Sequence, residues 1–173
     1  MEEHQDKPKF VFEPLGANHD RAAFSCGSPK LDTYLKTQAS QDAKKNLSVV
    51  FILTPDSKTI AGYYTLSQYS VQLDAIPEEI ARKLTRYNEI PATLIGRLAR
   101  SDTFRGMGLG EILLMDALYR CLIHSRLVAS WAVIVDAKDD AAIAFYKKYG
   151  FIEVPRIPNR LFLPMATVAK MFP

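Results

Sequence analysis

Six consecutive residues, Arg105-Gly106-Met107-Gly108-Leu109-Gly110, stand between an apolar run, Thr93–Ala99, and a helical pattern that begins at Glu111. Glycines let backbone N–H groups approach an anion without a Cβ in the way, and a helix N-terminus adds partial positive charge. Arg105 brings a full charge to the same turn, so the segment suits a phosphate-bearing ligand. Two nucleotide folds fail on spacing. A dinucleotide-binding turn is followed by an acidic residue about 20 positions on, where this chain has Ser125 and Arg126. A P-loop continues with Lys and then Ser or Thr, where this chain has Glu111 and Ile112.

The elements around this turn come from periodicity and punctuation. Phe10–Leu15 reads as a first strand. Ser28-Pro29 is a helix start, with Leu31, Tyr34 and Leu35 on one face and the helix running toward Lys44. Leu47–Leu53 and Ile60–Val71 are β-rich, separated by the turn signal Thr54-Pro55-Asp56. A short helix, Glu78–Leu84, precedes a strand at Ala92–Arg100. After the central helix come a buried-type strand at Trp131–Asp136, a helix capped by Asp139-Asp140 and stopped by Gly150, and short strands at Phe151–Val154 and Leu161–Met165. The order is β, α, β, β, β, α, β, α, β, β, with a small helix before the fourth strand, and it predicts an α/β class with a mixed sheet.

The chain has 173 residues, enough for one domain with a proper core. A net charge of +3 admits an anionic partner without demanding one. No apolar run approaches the roughly 20 residues of a membrane-spanning helix. Cys26 and Cys121 lie far apart and no signal peptide is read, so two reduced thiols in a cytosolic protein are expected. His4, His19 and His124 are isolated, which argues against a metal.

The order of elements, with Arg105-x-x-Gly108-x-Gly110 after the fourth strand and Ala144-Phe145-Tyr146-Lys147-Lys148-Tyr149-Gly150-Phe151 near the end, resembles the GNAT superfamily of acetyl-CoA-dependent N-acetyltransferases. Further segments resemble the GNAT toxins of bacterial toxin–antitoxin modules. They are Phe24-x-Cys26-Gly27-x-Pro29-x-Leu31-Asp32-x-Tyr34-Leu35, Gln38-Ala39-x-Gln41-Asp42-Ala43, Gly62–Ser67, Gly96–Ala99 and Arg160–Met165. The resemblance implies a GNAT fold, a single domain over 8–167 with a mixed twisted sheet splayed between strands 4 and 5, and loose ends at 1–7 and 168–173. It implies acetyl transfer from acetyl-CoA to the α-amino group of aminoacyl-tRNA, which stops translation, and no metal. It also implies a cytoplasmic homodimer, not membrane-bound, neutralised by an antitoxin of ribbon-helix-helix type.

By the same resemblance, backbone groups near Leu98 and Ala99 pair with pantetheine. The pyrophosphate lies on Gly106, Met107, Gly108, Leu109 and Gly110, with Arg105 beside it. Tyr146 is the general acid for the departing thiolate, with Tyr149 as its rival three residues on. A phenol near pKa ~10 and a thiol near ~8.5 make full transfer uphill by roughly 2 kcal/mol, so a hydrogen bond that strengthens as charge forms carries the help. The base stays open among Glu89, Asp102 and an ordered water. The fourth strand carries Arg97 and Arg100 rather than a carboxylate. This favours an α-amine, near ~7.7–8.0, over a lysine near ~10.4. Lys36, Lys44, Arg97 and Arg100 are candidate tRNA contacts, with Lys45, Arg156 and Arg160 nearby in type. Tyr63, Tyr64, Tyr69, Tyr87 and Phe104 are candidates for the acceptor pocket or for the core. Two alternatives keep the coenzyme: acetylation of a protein N-terminus or small amine, and a non-catalytic acyl-CoA-binding regulator.

Overall fold

The computed structural model describes residues 7–84 and 87–173. Seven strands form one sheet in the order β1-β2-β3-β4-β5-β7-β6. These are β1 Val11–Pro14, β2 Val49–Thr54, β3 Gly62–Gln72, β4 Glu89–Arg100, β5 Ala132–Asp136, β6 Ile152–Glu153 and β7 Arg160–Pro164. The helices are α1 Pro29–Thr37, α2 Ala39–Lys44, α3 Glu78–Ala81, α4 Leu109–Ser125, α5 Asp140–Lys148 and α6 Met165–Met171. β1 with β2, β5 with β7 and β6 with β7 pair antiparallel, whereas β4 and β5 pair in parallel. The sheet is therefore mixed, as the residue pattern predicts. A parallel pair needs a long crossover, and the 17-residue α4 supplies it.

Contacts gather the chain into two compact units. One holds the chain up to Thr65 with Arg97–Leu113, the other Leu66–Gly96 with Leu114–Pro173. The first packs around Phe24, Tyr34, Leu35, Ile52 and Tyr63, all buried. The second packs around Ile90, Ala132, Ile134, Val154 and Phe162, with Trp131 stacked on Phe162 at 5.6 Å. All of β5 but its last residue is buried, which is why it reads as a continuous apolar run. The β4–β5 ladder runs from Ala92 opposite Ala132 to Ile95 opposite Val135, and β4 continues past it to Arg100.

Local chemistry explains most boundaries. Asp139 accepts a hydrogen bond from the Ala142 N–H at 2.8 Å and caps α5. At its other end Gly150 adopts φ +93°, and the Phe151 N–H reaches the Tyr146 carbonyl at 3.2 Å. Pro29 opens α1 after Ser28, whose side chain makes no capping bond. Two expectations are corrected. The helix from Ser28 toward Lys44 is broken at Gln38 into α1 and α2. The segment 168–173, expected to be loose, is largely helical. Val168 of α6 is fully buried, and Phe172 packs edge-on against Tyr119 at 5.4 Å. The other expected loose end falls on residues outside those described, apart from Lys7.

Candidate active site

In the first unit, β4 ends at Arg100 and the chain turns sharply. The Ser101 N–H donates to the Ala61 carbonyl at 2.8 Å, and its hydroxyl accepts from the Thr103 N–H at 3.3 Å. A 3-10 turn at Asp102–Phe104 follows, then the glycine loop, then α4. Gly106 and Gly108 have φ of +82° and +73°. A Cβ built on either would meet nothing within 4 Å. These glycines are thus demanded by the backbone's left-handed conformation, and the space before them is open. Leu109 is buried and anchors the first turn of α4, which also contains Gly110. Met107 is exposed. The exposed Arg105 donates to Asp102 at 3.0 Å. A loop of open amides, a helix N-terminus and an arginine held at the rim fit a pyrophosphate.

Ala99 is buried, and its carbonyl oxygen stands 3.0 Å from where a Gly62 Cβ would lie. Leu98 is half-buried. Arg97 lies over the Tyr34 ring, its Cζ 3.4 Å from the centroid. The Tyr34 hydroxyl donates to Asp42 at 2.8 Å, and Gln38 donates to the other carboxylate oxygen at 2.9 Å. Burial raises the Tyr34 phenol above its usual range, and the bond to Asp42 adds to the shift. Arg100 donates at 3.4 Å to the Ser101 carbonyl. Lys36 and Lys44 are exposed, in the last turns of α1 and α2.

In the second unit, Tyr146 sits on α5 between Phe145 and Phe151, with ring centroids 5.3 Å away on each side. It is 7% exposed, and burial pushes its phenol well above the ordinary value. Among the described residues its hydroxyl has no hydrogen-bond partner. Two of the other buried tyrosines differ: Tyr34 bonds Asp42, and Tyr63 donates to the Leu31 carbonyl at 2.7 Å. An unengaged hydroxyl on a buried side chain can donate its proton to a bound ligand. Arg160, read as a possible nucleic-acid contact, grips Asp136 through two bonds of 2.8 and 2.9 Å and donates to the Tyr69 hydroxyl at 2.6 Å. Each of its three nitrogens is engaged within the fold.

The candidate bases are engaged as well. Glu89 accepts from Gln72 at 2.8 Å, and Asp102 holds Arg105. Of the aromatics considered for an acceptor pocket, Tyr63 and Tyr64 are fully buried core. Tyr69 serves Arg160, Phe104 packs on Phe10 at 5.5 Å, and Tyr87 is 73% exposed. Sequence reasoning missed the Tyr34–Arg97–Asp42 cluster. The α-helical spacing of Tyr34 and Gln38 hinted at a shared face, but no sequence signal joins that face to β4. No group of metal-binding side chains is found among the described residues, and none of their helices is long and apolar enough to cross a membrane.

The family model described as "Acetyltransferase (GNAT) family" matches residues 17–151. A probable toxin TacT of Sinorhizobium fredii is 33% identical over 172 residues, covering 94% of this chain and 95% of that protein. A tRNA-acetylating toxin of Mycobacterium tuberculosis is 34% identical over 146 residues, covering 84% and 86%. Among solved structures, AtaT complexed with acetyl-methionyl-tRNAfMet aligns at a TM-score of 0.86 and 29% identity, covering 95% of this chain and all (100%) of that one. A tyrosine-to-phenylalanine mutant of AtaT, bound to the C-terminus of the antitoxin AtaR and to acetyl-CoA, aligns at 0.80 and 26% identity, covering 95% and 98%.

Proposed function

The chain belongs to the GNAT acetyltransferase family, and from that premise we propose that it transfers the acetyl group of acetyl-CoA to the α-amine of an aminoacyl-tRNA and so blocks translation. The observation that carries this reading is Tyr146, a buried side chain whose hydroxyl has no hydrogen-bond partner among the described residues. Acetyl-CoA supplies an activated thioester. The open amides of Gly106–Gly110 and the Arg105 guanidinium hold its pyrophosphate, and the backbone at Leu98 and Ala99 aligns its arm. Tyr146 keeps its proton throughout the neutral range and offers it to the leaving sulfur. An aminoacyl α-amine needs little help to lose its own proton, because its pKa of about 7.7–8.0 lies near neutrality. That suits a chain whose candidate carboxylate bases, Glu89 and Asp102, are each already engaged. The relatives' acetylation of tRNA supports the acceptor.

On the same reading the chain works in the cytoplasm as a homodimer. Lys36, Lys44, Arg97 and Arg100 face the tRNA, and an antitoxin of ribbon-helix-helix type neutralises it. The catalytic domain begins at residue 8 and runs through α6, which is packed as its last element. The test is acetylation of bulk charged tRNA with labelled acetyl-CoA, comparing the wild type with Tyr146→Phe. Label on the aminoacyl group is expected. In the variant kcat should fall by about 10²–10⁴-fold, the usual worth of a positioned acid, with the melting temperature unchanged because the hydroxyl has no internal bond to lose. Turnover with free amines or peptides and none with charged tRNA would overturn the acceptor.

A further inference from the structure

Arg97 occupies an unusual setting. It is partly buried, its face is covered by the Tyr34 ring at 3.4 Å, and among the described residues its guanidinium makes no hydrogen bond or ion pair. A guanidinium carries five N–H donors in a planar fork. Arg105, Arg120 and Arg160 all place theirs on carboxylates. Arg97 instead spends its face on an aromatic and leaves its edge unspent. The carboxylate of Asp42, which feels its charge, is drawn down in pKa chiefly by Gln38, with Arg97 contributing a lesser share. That carboxylate is already taken by Tyr34 and Gln38.

The platform under Arg97 is fixed. Tyr34 is 7% exposed, bonded at its hydroxyl to Asp42 and stacked on Tyr63 with an interplanar angle of 16°. Tyr63 is itself tied to the Leu31 carbonyl. Stacking one face of an arginine restricts its rotamers and aims its fork, so little freedom remains to be lost when an anion arrives. Arg97 also lies on the strand that carries Leu98 and Ala99. A group bound by its fork therefore lies beside the segment assigned to the coenzyme arm.

We propose that the Arg97 fork receives the phosphodiester that joins the last two nucleotides of the charged tRNA, with Tyr34 as the positioning residue beneath it. This rests on the aminoacyl-tRNA reading above and gives Arg97 a role distinct from that of Lys36 and Lys44. The lysines add diffuse, salt-sensitive attraction. Arg97 makes one bidentate contact that sets the reach from the terminal phosphate to the α-amine.

The experiment compares two minimal acceptors that differ by one phosphodiester: an aminoacyl ester of adenosine and the same ester of the dinucleotide CpA. Bulk charged tRNA serves as the positive control. The wild type should show a KM about tenfold or more lower for the dinucleotide, the worth of a charge-assisted bidentate contact. Arg97→Lys keeps the charge but loses the fork, and should erase that preference while leaving the KM for acetyl-CoA within about twofold. Tyr34→Phe keeps the ring and should retain the preference. Tyr34→Leu removes the ring and should lose it, provided its melting temperature and acetyl-CoA KM show a folded protein. If the wild type modifies charged tRNA and Arg97→Lys keeps the dinucleotide preference, the proposal is overturned and the function stands. If Arg97→Lys instead raises the KM for acetyl-CoA, the phosphate belongs to the coenzyme and the proposal is overturned. If the wild type acetylates none of the three acceptors, the aminoacyl-tRNA reading itself fails.

Discussion

Gly108→Ala separates what the glycine loop does for folding from what it does for the coenzyme. Gly108 sits at φ +73°, and its added Cβ would meet nothing within 4 Å. The cost to the free protein is therefore conformational strain alone, about 1–2 kcal/mol for an L-residue held in the left-handed region. At 173 residues, each kcal/mol moves the melting temperature by roughly 2–4 °C, so a fall of about 2–8 °C is expected. On the proposed reading the same Cβ would stand where the coenzyme's phosphate approaches the loop amides. Losing one charge-assisted contact there costs about 1.5–3 kcal/mol, or roughly ten- to over a hundredfold in Kd. With acetyl-CoA at 100 times the wild-type Kd, ligand stabilisation is about 2.7 kcal/mol. For a variant weakened about thirtyfold the same relation leaves roughly 0.9 kcal/mol. Thermal unfolding with and without acetyl-CoA, with calorimetric Kd values, reads both numbers. A variant that melts a few degrees lower yet gains the full ligand shift would refute the cradle. A fall far beyond 8 °C would refute the open space. Gly106→Ala, with φ +82° and equally open surroundings, is the matched comparison.

Gly62→Ala should behave in the opposite way. Its Cβ would come 2.8 Å from Leu113 Cδ1 and 3.0 Å from the Ala99 carbonyl, an overpacked contact worth about 1–3 kcal/mol that denaturant titration should detect without any ligand. Cys121, fully buried, has its thiol pushed up from 9.0 to about 12 by burial. The folded chain keeps this proton where the unfolded chain loses it, so the contribution is intact below pH 9 and is lost as pH rises toward 12. Stability measured between pH 8 and 10 should fall less steeply in Cys121→Ala, and alkylation of this thiol should require unfolding.

Much of the fold was legible because its signals are local. Alternation and apolar runs mark the strands, Asp139 and Gly150 bracket α5, and the glycine loop falls between β4 and α4 where the pattern placed it. Less legible was whatever depends on distant partners. The first helical stretch is broken at Gln38, whose φ of −118° departs from the helical value, and nothing in the types of Thr37-Gln38-Ala39 demands a break. Met165–Met171 looks like an apolar tail until the buried Val168 gives it a surface to pack on. At the site, residue types alone marked Arg97 and Arg160 as equivalent basic side chains. Their surroundings divide them, since Arg160 is consumed by Asp136 and Tyr69 while Arg97 lies over an aromatic with its edge free. That difference is tertiary and invisible to spacing.

The solitary Tyr146 hydroxyl also has a genetic consequence. If expression of the chain arrests growth, cells that escape will carry inactivating changes, and most of those will wreck the core and leave no protein. A tyrosine codon lies a single base from phenylalanine, and here that change removes an atom that no other described residue hydrogen-bonds. Survivors with Tyr146→Phe should therefore retain wild-type amounts of intact chain on an immunoblot. Sequencing such survivors would map the chemistry of the site without a single enzymatic assay.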